Sequence, residues 1–176
     1  METALENIQI DWRNLFEKMS MGYAVHKIVW DKKGKAVDIV YLEVNSVYEK
    51  LTGLTREKVV NKPVSKSIPG LEREWYERYE KVVKTGKPIS FEQEAVTLGR
   101  VFQVYAFKVG KDMFASIFSD ISEQSKSKKI LANEKLLVDT LINSMTDFIF
   151  SKDINGRYLE CNEPFARLFV GKKRLP

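Results

Sequence analysis

Residues 41–51 read YLEVNSVYEKL, and residues 158–168 read YLECNEPFARL. Tyr, Leu, Glu and Asn hold their places, Tyr48 becomes Phe165, and Leu51 is matched by Leu168. The likeness extends upstream. The turn DKKGK at 31–35 returns as DINGR at 153–157, and AVHKIVWD before the first is paralleled by DFIFSKD before the second. A repeat at this spacing is one supersecondary unit beginning again. Each copy reads strand, turn, strand, short helix, with a second strand five residues longer in the first copy.

Working outward from the first copy, YAVHKIVWD after Gly22 is rich in β-branched and aromatic residues, as a strand requires. Lys33-Gly34 makes the hairpin turn, a weaker signal than Asn-Gly, and AVDIVYLEVN returns antiparallel. Asn45-Ser46 offers a helix cap and Gly53 a stop. Pro63, Pro69 and Gly70 keep the next stretch irregular. A longer helix follows over 71–85, with Leu71, Trp75, Tyr79, Val82 and Val83 on one side and Gly86 at its end. Three strand-like runs close the copy: ISFEQEAVTL, RVFQVYAFKV and DMFASIFSDI. Strands on both sides of a helical block predict an α+β fold with an antiparallel sheet.

Two helices flank this core. Residues 5–20 place Leu5, Ile8, Trp12, Leu15, Phe16 and Met19 at helical intervals. From Ser122, a helix of about 25 residues carries Leu131, Val138, Leu141, Ile142 and Met145 along one stripe. Asp120 with Glu123 reads as a capping box at its start. The expected organisation is an amphipathic helix over 1–20, a domain over 21–121, a helical coiled-coil linker over 122–146 and the start of a second domain over 147–176. That last segment holds a hairpin and one helix, too little to bury Phe148, Phe150, Phe165 and Phe169 by itself.

The order of elements and three phrases resemble the PAS domains of bacterial and archaeal signalling proteins such as sensor histidine kinases and diguanylate cyclases. The phrases are YLEVNSVYEKLTGLTREKVVNKPVSKSIPG, KTGKPISFE and LGRVFQVYAFKVGKDMFASIFSDISE. The last holds Asp120-Ile121-Ser122, similar to the Asp-x-Ser/Thr signature that closes such domains. The resemblance implies a five-stranded antiparallel sheet with helices on one face, then a long signalling helix and a partial second copy. It also implies sensing of a small ligand, or dimerisation, relayed to an output kinase, cyclase or regulator outside this chain. The cofactor is unspecified. A flavin adduct is disfavoured because the first copy has no cysteine, and Cys161 lies in a strand of the second. Haem is disfavoured because the single histidine, His26, lies on the first strand rather than on the helical side.

Composition narrows the alternatives. Hydrophobic residues make up 44% of the 176 positions and charged residues 30%, enough for a packed core. One cysteine and one histidine exclude an internal disulfide and a His- or Cys-rich metal site. No apolar run reaches the length of a membrane span, and the polar, acidic start is unlike a secretory signal, so a cytoplasmic protein is expected. A net charge of +5 raises nucleic acid as a partner. Yet Arg73, Arg78, Lys81 and Lys84 alternate with Glu72, Glu74, Glu77 and Glu80, which reads as a solvated helix face. A small α+β enzyme with a cavity is the other alternative, but the chain shows no Ser/His/Asp set and no phosphate-cradling loop.

Candidate ligand-pocket residues are His26, Tyr41, Tyr48, Arg100, Tyr105 and Phe107. His26 shares a strand face with Ala24, Ile28 and Trp30, and is either a core-edge histidine or a donor that titrates near neutrality. Arg100 at its hairpin is either a turn cation or a partner for an acidic ligand. The aromatic residues either fill the core or line a cavity. For the relay, Asp120, Ser122 and Glu123 would fix the exit of the long helix. For a homodimer, its apolar stripe would pair across a two-fold axis.

Overall fold

The computed structural model describes residues 11–169, and the chain divides into two compact units, Met1–Glu123 and Gln124–Pro176. Of the helix expected over 5–20, Leu5 and Ile8 lie outside the described residues, and α1 spans Trp12–Glu17.

In the first unit β1 (Gly22–Trp30) and β2 (Ala36–Val44) form a hairpin. Its turn needs no Asn-Gly because Asp31 builds it: one carboxylate oxygen accepts from the Lys33 and Lys35 amides at 2.8 Å each, and Gly34 takes φ 71°. The side chain of Asn45 caps α2 (Ser46–Thr52), which Gly53 closes in the left-handed conformation. Two single turns, α3 (Arg56–Val59) and α4 (Val64–Ser67), lead to α5 (Arg73–Thr85), whose Trp75, Tyr76, Tyr79, Val82 and Val83 are buried. The remaining strands are β3 (Ile89–Ala95), β4 (Arg100–Gly110) and β5 (Met113–Asp120). The third strand, expected to run to Leu98, stops at Ala95 and gives way to a 3-10 turn over Val96–Leu98. There the Val96 amide donates to the Glu72 carboxylate at 3.0 Å, outside the sheet ladder.

The strands form one sheet in the order β2-β1-β5-β4-β3, every neighbouring pair antiparallel. Alternation along each strand sends Ala24, His26 and Ile28, then Ile39, Tyr41 and Val44, then Phe102, Val104 and Ala106, then Phe114, Ser116 and Phe118 into the core beneath the helices. Tyr23, Val25, Phe107 and Ile117 on the other face are only partly covered. This is the five-stranded α+β architecture expected from the sequence.

In the second unit β6 (Phe150–Lys152) pairs antiparallel with β7 (Tyr158–Cys161), and α7 (Glu163–Phe169) follows. Asp153 builds the turn as Asp31 does, accepting from the Asn155 and Arg157 amides at 2.9 Å each. Phe165 is buried among Phe148, Phe150, Tyr158 and Phe169, all of which stay about half exposed or more. The long helix α6 covers Ser122–Ser144 and has no buried residue.

Phe114 is fully buried and stacks on both His26 and Tyr79 at 4.4 Å between ring centroids. Phe114→Ala should therefore destabilise the first unit by about 3–5 kcal/mol, read as a lowered urea midpoint with an unchanged slope. A loss below about 1 kcal/mol would mean that the central strand is not packed as described.

Candidate functional site: a buried cavity and the helix exit

Between the sheet and α2–α5 lies a cavity of about 60 Å³, lined by His26, Tyr41, Ser116 and Phe118 from the sheet, Tyr48 and Thr52 from α2, and Trp75 and Tyr79 from α5, with apolar residues between. That is room for about four water-sized groups. None of its lining residues is Asp, Glu, Lys or Arg. The period-two alternation of β1 and β5 puts His26 and Ser116 on the same face of adjacent strands, and Nε2 lies 2.9 Å from the Ser116 hydroxyl. Among the described residues the second ring nitrogen, Nδ1, is buried without a hydrogen-bond partner, and so is the Tyr48 hydroxyl. Buried polar groups are nearly always satisfied, and both of these groups belong to residues that line the same cavity.

Burial sets the charge states. Desolvation lowers the His26 pKa to about 3, so the ring is neutral at physiological pH. Desolvation also raises Tyr41 to about 12 and pushes Tyr48 and Tyr79 further up, so all three keep their protons.

Arg100, Tyr105 and Phe107 lie outside the cavity. Tyr105 and Phe107 occupy the alternate positions of β4, on the far face of the sheet, and pack on each other at 5.7 Å. Arg100 is held instead by an ion pair between its guanidinium and the Asp120 carboxylate. Ser116, Thr52 and Tyr79 line the cavity but were not among the pocket candidates, although a serine between Phe114 and Phe118 on a core-facing stripe was a legible anomaly.

At the end of β5 the chain leaves through a small clasp. Asp120 accepts from the Ser122 amide at 2.9 Å, and the Ser122 hydroxyl accepts from the Val101 amide at 2.9 Å. The Ile121 amide donates to the Val101 carbonyl at 2.8 Å. Burial works to raise the Asp120 pKa, but the Ser122 hydroxyl and amide and the Arg100 guanidinium more than offset it and leave it below the usual range. The expected capping box does not form. α6 begins at Ser122, so Asp120 sits one residue too early to be its cap, and Glu123 points to solvent with no hydrogen bond among the described residues.

No protein-family model matches the chain, and no curated protein matches it. Solved structures do. The PAS domain of BvgS from Bordetella pertussis is 21% identical over 70% of this chain and 93% of its own, with a TM-score of 0.47. A domain of a sensory box sensor histidine kinase/response regulator from Geobacter sulfurreducens is 19% identical over 62% and 90%, at 0.46. The photoactive yellow protein domain of the sensor histidine kinase Ppr from Rhodospirillum centenum is 17% identical over 60% and 90%, at 0.44. Scores below 0.5 carry no argument about function. What decides the fold is the chain's own sheet, five antiparallel strands in the order 2-1-5-4-3 with the helices inserted between β2 and β3 on one face. The fold is of the PAS type. Among the described residues no helix is long and apolar enough to cross a membrane. Nor, among the described residues, does any group of three or more His, Cys, Asp or Glu stand together in a way that could hold a metal ion.

The buried histidine gives a pH signature. An unfolded chain protonates His26 near its ordinary value of 6.5, whereas the folded one resists down to about 3. The unfolded state thus binds the extra proton in that window, and stability falls as pH drops. Between pH 7 and pH 5 the loss should be about 2 kcal/mol, above the range where Asp120 titrates. His26→Phe should flatten the stability profile between pH 7 and 5, since the chain has no other histidine. An equal slope in that variant would refute the burial of a neutral ring.

Proposed function

We propose that residues 21–121 are a sensory module that takes a small neutral molecule into the cavity and relays its presence through β5 to α6, for an output partner outside this chain. The reading rests above all on one arrangement: the cavity wall and the helix exit share a strand. Ser116, bonded to His26, lies four residues before Asp120 on β5. A ligand that engages Nδ1 of His26 or the Tyr48 hydroxyl would repack the walls around Ser116 and Phe118. Asp120 holds the first residue of α6 and, through Arg100, the start of β4, so a shift of β5 alters the angle at which the helix leaves.

The charge-free lining favours a neutral ligand, since an ion moved into a site without a counter-charge suffers a large desolvation penalty. The helix would carry the signal in a homodimer. Leu131, Val138, Leu141 and Met145 are each about half exposed or more, and an isolated helix of this length is marginal in water. Pairing them across a two-fold axis would bury the stripe in coiled-coil fashion. No observation favours the enzyme or the nucleic-acid alternative.

Two measurements test this. Ser116→Ala leaves a buried ring nitrogen without its partner, at a cost of about 1–3 kcal/mol, and should speed hydrogen exchange in residues 126–130 relative to β3. Combined with Asp120→Asn, the added effect of Ser116→Ala on those amides should vanish; an undiminished effect would rule out the relay. Replacing Leu141 and Met145 together by Lys should give a monomer in sedimentation with the first unit intact. If it stays dimeric, the interface lies elsewhere.

A further inference from the structure

Asn162 repeats bond for bond what Asn45 does. The Asn45 amide donates to the carbonyls of Phe16 at 3.2 Å and Met21 at 2.9 Å, while its oxygen accepts from the amides of Tyr23 at 3.0 Å and Tyr48 at 2.9 Å. The Asn162 amide donates to the carbonyls of Ile142 at 3.2 Å and Asp147 at 2.7 Å, and its oxygen accepts from Ile149 at 3.1 Å and Phe165 at 3.2 Å. Both residues are buried, at 0% and 1% exposure. A fifth bond matches as well. Glu17 accepts the Ser46 amide at the start of α2 at 2.8 Å, and Asn143 accepts the Glu163 amide at the start of α7 at 2.7 Å.

These bonds fix a register in which Phe16 corresponds to Ile142, Glu17 to Asn143 and Tyr23 to Ile149. In that register Trp12, Leu15 and Met19 fall on Val138, Leu141 and Met145. We infer that residues 138–145 of α6 are the arriving helix of the second unit, as α1 is of the first, each seated by a buried asparagine against its hairpin. The chemistry explains the residue type. Ile142 and Phe16 lie in the last turns of their helices, where carbonyls lack helical partners. A primary amide alone offers two donors for such carbonyls and an acceptor for the hairpin's amides. The PAS unit therefore has two helix ports, at the same end of the sheet, where Gly22 at the start of β1 pairs with Phe118 near the end of β5: α1 arrives through Asn45, and α6 departs through the Asp120 clasp. α6 is the departing helix of one unit and the arriving helix of the next. This holds whether or not the cavity takes a ligand.

The test is hydrogen exchange on the full chain. Asn162→Asp keeps the acceptor toward Ile149 and Phe165 but turns a carboxylate on the carbonyls of Ile142 and Asp147. Amides of residues 140–145 should exchange about tenfold faster, while those of Ile149, Phe165 and residues 22–120 stay within about threefold of the parent. Asn162→Ala, which removes all four bonds, should release Ile149 and Phe165 too. Asn45→Asp should loosen residues 14–19 in the same selective way. The inference fails if the end of α6 is unchanged in Asn162→Asp, or if Asn162→Asp and Asn162→Ala release the same amides. It also fails if Asn45→Asp leaves α1 unchanged or unfolds the first unit.

Discussion

The ladder between β1 and β5 is the constraint on which the first unit depends. It joins Gly22 to Phe118 and His26 to Phe114, strands nearly a hundred residues apart, so its closure carries the loop entropy of a long-range contact. Once closed, it makes β1 and β5 neighbours within the sheet and sets His26 beside Ser116, while the ladder of β5 with β4 brings Arg100 and Val101 alongside Asp120 and Ser122. Cavity and exit clasp thus meet on β5, the strand that takes part in both pairings. The second unit shows the same hairpin without it. Among the described residues β6 pairs only with β7, and Phe148, Phe150 and Tyr158 stay near half exposure, whereas their environment in the first unit is a closed core.

Desolvation then decides what the cavity can distinguish. Its polar groups are an imidazole, phenols and hydroxyls, all uncharged once buried. Charge enters only two residues beyond the cavity wall, at Asp120, where a guanidinium and a hydroxyl hold the carboxylate in its ionised form. The unit thus separates a neutral interior, where a missing hydrogen bond is costly, from a charged clasp at its edge, where geometry can change without unpairing a buried ion.

How far the sequence reveals this follows from the range of each interaction. Hairpins, short helices and their stops are local, written in Asp31, Asn45, Gly53 and Gly86, and were legible with boundaries within a few residues. The alternation that buries His26 and Tyr41 was legible too, because period two needs only neighbours. Which face of β4 would meet the core was not, since Phe102-Val104-Ala106 and Val101-Gln103-Tyr105-Phe107 are both apolar enough to be chosen. That ambiguity placed Tyr105 and Phe107 on the wrong side. Arg100 was misplaced for a related reason: its partner Asp120 is near only after β4 and β5 pair in their particular register. Asn45 looked like an ordinary cap, and its two donated bonds to the preceding segment have no sequence signature beyond the recurrence of an asparagine at 162.

The apolar positions of α6 look different in this light. Successive residues on a helix point about 100° apart, so Leu141 and Ile142 cannot serve the same neighbour. Ile142 is the half-covered one, and its carbonyl is tied to Asn162. Leu131, Val138 and Met145, spaced by sevens, fall near a common line with Leu141 to one side, and all stay exposed. The last turns of α6 therefore offer one edge to their own hairpin and a different edge to whatever pairs with the helix. A dimer built on the second edge would leave the Asn162 seat untouched.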